Sequence, residues 1–467
     1  MFKYKEDKVE KRIVVTAASM LTPFGLTQET LRGIKEGRSA IQSLPEEFSC
    51  CPTQIGGLVP DTNLSRFFEP KAAKRIESRS TRPSQFSHTV IAEALTKAGL
   101  RGNNGKIAKE DQERVGISVG TGIGASELIA QLGVDMHLLR EATGTDEFQT
   151  ALNRLIKNHR GDATKILPDA SAYLPTMTFG IQGPADCSIK ACATGAGNIR
   201  RAVMEILLGH ADIMIAGGTE SLSPADVMTF NVLGTKRAKT LAGFAGALSK
   251  RNDDPQGASR PFDSGHDGFV PSEGSAVLIL EELEEAIGRG ADILAEIVGY
   301  GETTDAESTT DPTQESQERA IRMALDMANL SPDQIGAIST HGTSTEAGDK
   351  AELSALKGVF GEKTTPPIYA TKSQLGHMLG ASGAVATVVA VFAMQDWWMP
   401  GTINLCNPIP EMIVCGEEHE NHANTCYLTV PSRITQREVT HTLVNSFGFG
   451  GQNVCIVVAK HDYADIS

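Results

Sequence analysis

The 467-residue chain is 40% hydrophobic and 21% charged, an ordinary balance for a globular protein with a large buried core, and carries a formal charge of −14 at pH 7. That acidity speaks against a general nucleic-acid binder, which presents a basic face. The opening MFKYKEDKVEKR has no apolar run and is not expected to act as a secretory signal; the longest apolar stretch, Ala384 to Met394, is too short to cross a bilayer and reads as a buried helix.

In chain order, β-branched runs predict buried strands at Ile13–Thr16, Val115–Val119, Ile213–Ala216, Ala276–Leu280 and Val454–Val458. Helical periodicity falls between them at Ser87–Ala98, Gly197–Leu208, Glu281–Arg289 and Glu315–Met327. This alternation indicates an α/β protein with covered sheets. Residues 136–170 are polar and irregular and are expected to form a surface excursion or cap. Residues 228–241 read as a second insertion with a small basic cluster, Lys236, Arg237 and Lys239. The organisation changes near Gly288–Asp292, which divides the chain into halves at 1–290 and 291–467 that share a strand–glycine–helix style.

Eight cysteines are scattered at 50, 51, 187, 192, 406, 415, 426 and 455 without a CxxC pair, which fits neither a zinc site nor a disulfide framework. A reducing cytoplasm or organelle interior is the expected setting. Cys192 stands apart in SIKACATGAGNIRR, residues 188–201. Ile199, Val203, Ile206 and Leu207 follow it at helical spacing, and Gly195 and Gly197 belong in the first turn, where a missing side chain permits close backbone approach. The thiol therefore lies at a helix N-terminus, whose free N–H groups favour an anion by about 0.3 to 2 kcal/mol and are expected to raise the thiolate fraction.

Three further segments supply partners for a reactive cysteine. STHGTSTEAGDKAE, residues 339–352, holds His341 among small and hydroxyl residues; TKSQLGHMLGASGA, residues 371–384, holds His377 between Gly376 and Gly380. Glycine beside histidine leaves room for a ligand to reach both imidazole and backbone. Neither segment has the HExxH spacing of a zinc site, and no metal is assigned. NSFGFGGQN, residues 445–453, is a Gly/Phe turn whose amides suit an oxyanion hole.

These motifs in this order, KACATGAGN, HGTSTEAGDKAE, KSQLGHMLGASGA and NSFGFGGQN, resemble the β-ketoacyl-[acyl-carrier-protein] synthases of the condensing-enzyme family over roughly residues 11–460. ADIMIAGGTES at 211–221, SRPFDSGHDGF at 259–269 and TINLCNP at 402–408 support the likeness. The resemblance implies a thiolase-like five-layer αβαβα sandwich built from two similar halves, normally a homodimer. It implies decarboxylative Claisen condensation of an acyl-enzyme with malonyl-[acyl-carrier-protein]. No cofactor is bound permanently; malonyl and acyl thioesters arrive on the phosphopantetheine arm of a separate acyl carrier protein. Cys192 matches the nucleophile, His341 and His377 the paired histidines, Lys372 the active-site lysine and Glu352 its acidic partner, the last two read as a buried pair. The N–H groups of Cys192 and Phe449 match the oxyanion hole, the Phe449 ring matches a gate, and Ile123 resembles a residue of the acyl pocket. Polyketide or specialised-lipid ketosynthases share the motifs; a non-catalytic chain-length-factor-like subunit is disfavoured because the cysteine and both histidines are retained. Lys190, Ser339, Ala386 and Gln452 depart from the family pattern. Ser339 and Ala386 stand where relatives place polar groups around a structural cation, so that site is not transferred. The basic cluster at 236–239, or Arg200 and Arg201, is a candidate contact for the carrier.

Overall fold

The computed structural model describes residues 11–233, 246–361, 366–410 and 434–461. The first half contributes β1 (Ile13–Thr22), α1 (Arg82–Lys97), β2 (Val115–Gly120), α2 (Ser126–Glu141), α3 (Thr145–His159), α4 (Ala170–Phe179), β3 (Ala185–Asp186), α5 (Thr194–Leu207), β4 (Ile213–Glu220) and β5 (Gly274–Glu282). The second contributes β6 (Ala295–Thr304), α6 (Gln314–Met327), β7 (Ala337–Ser339), α7 (Glu346–Phe360), β8 (Ile368–Tyr369), α8 (Ser382–Gln395), β9 (His441–Gly448) and β10 (Gln452–Ala459).

The principal strands lie in the order β8-β7-β9-β10-β6-β1-β5-β4-β2-β3. Reading outwards from the middle, β6-β10-β9-β7-β8 repeats the pattern of β1-β5-β4-β2-β3. In each arm the first two pairings are antiparallel and the last two parallel. The arms meet only where Val14 and Val15 of β1 pair with Glu296 and Ala295 of β6.

Strand periodicity sorts the side chains into layers. On β5, Val277 and Ile279 face a cluster with Phe86 and Val90 of α1, while Ala276, Leu278 and Leu280 face the molecular centre. On β10, Val454, Ile456 and Val458 face that same centre, and Cys455 and Val457 pack outwards with Ile321 of α6 and Leu353 of α7. Helices α5 and α8 fill the centre, giving five layers: α1 with α4, one sheet arm, α5 with α8, the other arm, and α6 with α7. This is the thiolase-like sandwich. Because α8 is covered by both arms, its sequence is apolar on every face, as the Ala384–Met394 run suggested. The two central helices touch backbone to backbone: a Cβ on Gly195 would sit 2.7 Å from the Ala384 nitrogen, and one on Gly383 would sit 2.9 Å from the Ala196 nitrogen.

Glu281 corrects the expected helix at Glu281–Arg289: β5 continues through Glu282 and the helix is Leu283–Gly288. The strand wins because Glu281 pairs in register with Val14, and its buried carboxylate is held by the Arg289 guanidinium at 2.5 and 2.6 Å. The excursion at 136–170 is on the surface but helical, in α2 and α3, and it leaves Val134, Met136, Phe148 and Ile156 exposed. Lys236, Arg237 and Lys239 lie outside the described residues.

Candidate active site

Cys192 sits in a single 3₁₀ turn, Ala191–Ala193, that leads from β3 into α5. Ala191 adopts the left-handed region at φ 47°, and the turn is tied by Lys190 N donating to Thr194 Oγ1 at 2.8 Å and Ala193 N donating to Lys190 O at 2.9 Å. The sulfur is buried, and the backbone N–H groups of Phe449 and of Cys192 itself act on it in favour of the thiolate. Burial nevertheless pushes the thiol up to about 12, against the downward pull of Lys372 and the two amides. The amides at the helix end pull toward the thiolate but do not complete its activation. An effect of at most about 2 kcal/mol does not offset desolvation of a fully buried thiolate, so Cys192 rests protonated at neutral pH.

His341 follows β7 and is gripped through its backbone. Glu352, on α7, accepts from His341 N and Gly342 N, each at 2.8 Å, and Lys372 Nζ donates to His341 O at 2.6 Å. Lys372 and Glu352 are buried, as expected, but they are joined through the His341 peptide rather than by an ion pair within 4 Å. Asn445 Nδ2 donates to the same carboxylate at 3.0 Å. Burial raises the Glu352 pKa and lowers that of Lys372, each partly compensated by the charge of the other.

His377 is fixed by its own backbone, N to Val270 O at 2.8 Å, and by Nδ1 to Ser382 Oγ at 2.9 Å. With the hydroxyl donating to Nδ1, the imidazole proton is on Nε2. The two rings lie 5.4 Å apart between centroids at 85°. Burial, with the nearby Lys372 charge, holds both well below the usual histidine range, so both are neutral and each keeps one N–H to donate.

Cys192, His341, His377 and Phe449 all line one cavity of about 420 Å³, together with Phe269, Phe447 and the hydroxyl side chains of Thr343 and Thr345. Ile123 is not among its lining residues. Its N–H is drawn to Glu220 at 3.3 Å and its side chain is 42% exposed, because the loop that carries it is fastened from behind.

That fastening is a group sequence reasoning missed. Glu220, at the end of β4, is fully buried and accepts from Gly122 N at 2.7 Å, Gly124 N at 3.3 Å and Gly380 N at 3.0 Å. It bridges the two halves beside the Cys192 turn, and burial pushes its carboxyl up to about 7 despite these donors. The sequence signal was available: a carboxylate closing an apolar strand in IMIAGGTE. Asp349 was missed likewise; it accepts from Phe262 N at 2.8 Å and contacts His266 Nδ1 at 2.9 Å, tying SRPFDSGHDGF to the histidine loop.

The departures from the family pattern find places. Lys190 Nζ donates to Glu302 Oε1 at 2.7 Å rather than adding its charge beside the thiol. Arg200 pairs with Glu302 at 3.2 Å, and Arg201 with Asp186 at 2.8 Å and Glu205 at 2.7 Å. Gln452 opens β10 opposite Gly448. Ser339 is buried in register with Tyr369, and Ala386 lies within α8; no cluster of three His, Cys, Asp or Glu suited to a metal occurs among the described residues.

Models of the β-ketoacyl synthase N-terminal and C-terminal domains match residues 10–286 and 294–406. The chain belongs to the β-ketoacyl synthase family. A 3-oxoacyl-[acyl-carrier-protein] synthase 2 from a Synechocystis species is 35% identical over 97% of this chain and 99% of its own. The chloroplastic 3-oxoacyl-[acyl-carrier-protein] synthase I of Arabidopsis thaliana is 34% identical over 96% of this chain and 86% of its own. Among solved structures, a β-ketoacyl synthase from Burkholderia phymatum superposes with a TM-score of 0.81 at 28% identity, covering 97% of this chain and 100% of the other. This condensing enzyme is an acyltransferase. No helix among its described residues is long and apolar enough to cross a membrane.

Proposed function

We propose that the protein elongates acyl chains by decarboxylative condensation on Cys192, with His341 and His377 as the decarboxylation pair. The thiol attacks the thioester carbonyl of an acyl-carrier; the carbonyl–sulfur bond breaks, and the cysteine proton passes to the departing phosphopantetheine sulfur. This proton transfer within the acylation step is what a thiol with a raised pKa requires. Malonyl-carrier then loses CO2 by cleavage of its carboxylate C–C bond, leaving an enolate whose oxygen receives the N–H groups of both neutral histidines. Carbanion attack on the acyl-Cys192 carbonyl places an oxyanion at the N–H groups of Cys192 and Phe449. Collapse releases the Cys192 sulfur, which takes up a proton, and a 3-oxoacyl-carrier two carbons longer. Lys372 and Glu352 fix the His341 backbone, and the Phe449 ring, tilted 34° to Phe230 at 6.3 Å between centroids, gates the acyl side.

The observation that carries this reading is the convergence of one sulfur, two neutral imidazoles and the Phe449 amide on a single cavity. Substrates come on a separate acyl carrier protein and the reaction uses no resident cofactor. We further propose division into halves at 1–290 and 291–467, a reducing compartment, and a homodimer that covers the apolar side chains of α2 and α3. Ile123 is exposed and reaches an acyl chain only if the dimer completes the pocket. A polyketide or specialised-lipid ketosynthase is the second reading. It is favoured by a 27%-identical structure of a type II polyketide ketosynthase with its acyl-carrier protein, TM-score 0.76 over 97% of this chain and 100% of the other.

The test is purified protein with malonyl-carrier and acyl-carriers of graded length, products resolved by mass. Cys192→Ser is expected to abolish elongation, and Cys192→Gln to retain malonyl-carrier decarboxylation. Decarboxylation lost in Cys192→Gln but retained when His341 and His377 are replaced would overturn the assignment.

A further inference from the structure

The nucleophile turn is held on its outer side by an ionic clasp that the reaction scheme does not use. Lys190 immediately precedes the turn, and its ammonium meets Glu302 Oε1 at 2.7 Å. Glu302 belongs to β6, in the other half of the molecule, and its second oxygen takes Arg200 from α5 at 3.2 Å, with the Arg200 guanidinium lying 5.2 Å over the Tyr300 ring. Two cations flanking the cysteine segment thus converge on one carboxylate across the seam. All three side chains are largely shielded, at 17%, 25% and 28% exposure for Lys190, Glu302 and Arg200.

The clasp connects with the oxyanion side. Glu302 pairs in register with Val454, just after the Gly/Phe turn; three residues on, Asp305 N donates to Gly451 O at 3.0 Å and Asp305 Oδ1 accepts from Asn453 Nδ2 at 2.6 Å. Strand β6 therefore anchors both the turn carrying Phe449 and the cation that precedes Cys192. The Lys190 stem also has a built track: a Cβ on Gly197 would lie 2.7 Å from Lys190 Cδ, so α5 leaves room for it. The Lys190 carbonyl is seated close to Gly448, whose added Cβ would lie 2.7 Å from that oxygen.

We propose that Lys190, through Glu302, is a positioning residue that sets where the Cys192 sulfur and amide stand relative to the Phe449 amide, and so governs acyl transfer rather than carrier binding. The proposal rests on Cys192 being the nucleophile. A small displacement of a reacting group costs rate far more than affinity, because proximity enters the transition state directly.

The experiment measures kcat, KM for acyl-carrier and the iodoacetamide alkylation rate of Cys192 in Lys190→Met, Glu302→Gln, their double variant and Lys190→Arg, with the melting temperature confirming folding. Lys190→Met and Glu302→Gln are each expected to lower kcat and alkylation about tenfold with KM changed less than about twofold. The double variant should fall no further than Glu302→Gln alone, since removing the carboxylate already releases Lys190 along with Arg200, and Lys190→Arg should retain most of the rate. Unchanged kcat and alkylation, losses that multiply in the double, or a loss confined to KM overturn the proposal. Should Lys190→Met not fold, Glu302→Gln, which keeps the side-chain shape, decides alone. Condensation surviving in Cys192→Ser would instead sink the nucleophile reading, an outcome independent of any Lys190 result.

Discussion

The turns Ala191–Ala193 and Leu379–Ala381 are the same device used twice. Each is a 3₁₀ turn opened by a left-handed residue, Ala191 at φ 47° and Leu379 at φ 42°, and each runs into a 14-residue central helix that starts with a hydroxyl residue and glycine. The middle residue is Cys192 in one and Gly380 in the other. The hydroxyls have diverged as well: Thr194 ties the cysteine turn, whereas Ser382 orients His377. Duplicated architecture thus yields an asymmetric site. One turn presents the Cys192 thiol; the other has given up its side chain so that Glu220 can reach the Gly380 amide and close the seam.

Removing the side chain that distinguishes the first turn has the largest expected effect: Cys192→Ser should lower elongation by at least about a thousandfold in the mass-resolved assay. Breaking the partner supplied by the second half comes next. His341→Ala, or His377→Ala, should slow malonyl-carrier decarboxylation about a hundred- to thousandfold, read as CO2 release, for loss of one enolate donor.

Glu220 tests the seam itself. Its folded pKa of about 7 lies above the ordinary glutamate value of 4.5, so the folded state holds an extra proton between those pH values and loses stability as pH rises through that window. The stability of the parent relative to Glu220→Gln should therefore fall by up to about 3 kcal/mol from pH 4.5 to 7 and stay flat above, measured by urea unfolding at several pH values. The smallest effect is expected from restoring a side chain to the second turn. A Gly380→Ala Cβ would lie 2.3 Å from the Gly122 backbone nitrogen and 2.9 Å from Glu220 Oε2, so the variant should lose about 1–3 kcal/mol, seen as a lower urea midpoint.

The strands and most helices were legible because period-two and period-3.6 patterns survive wherever an element has one buried face. Glu281 escaped that reading, since a buried charge on a strand makes sense only once Arg289 is seen beside it. Cys192, His341 and His377 stood out through the small residues and glycines around them, whereas Lys372, Glu352 and Phe449 were singled out only by the resemblance to the family.

The sequence by itself determined the chemistry: a sulfur, two imidazoles and a donor-rich turn, in the order of one family. The tertiary structure alone decided how those groups are charged and held. Depth of burial keeps the thiol protonated and the imidazoles neutral, and long-range partners such as Glu220 and Glu302 hold the site in place. The physical reason is that desolvation and cross-seam hydrogen bonds depend on distances between residues a hundred or more positions apart, which no local spacing encodes.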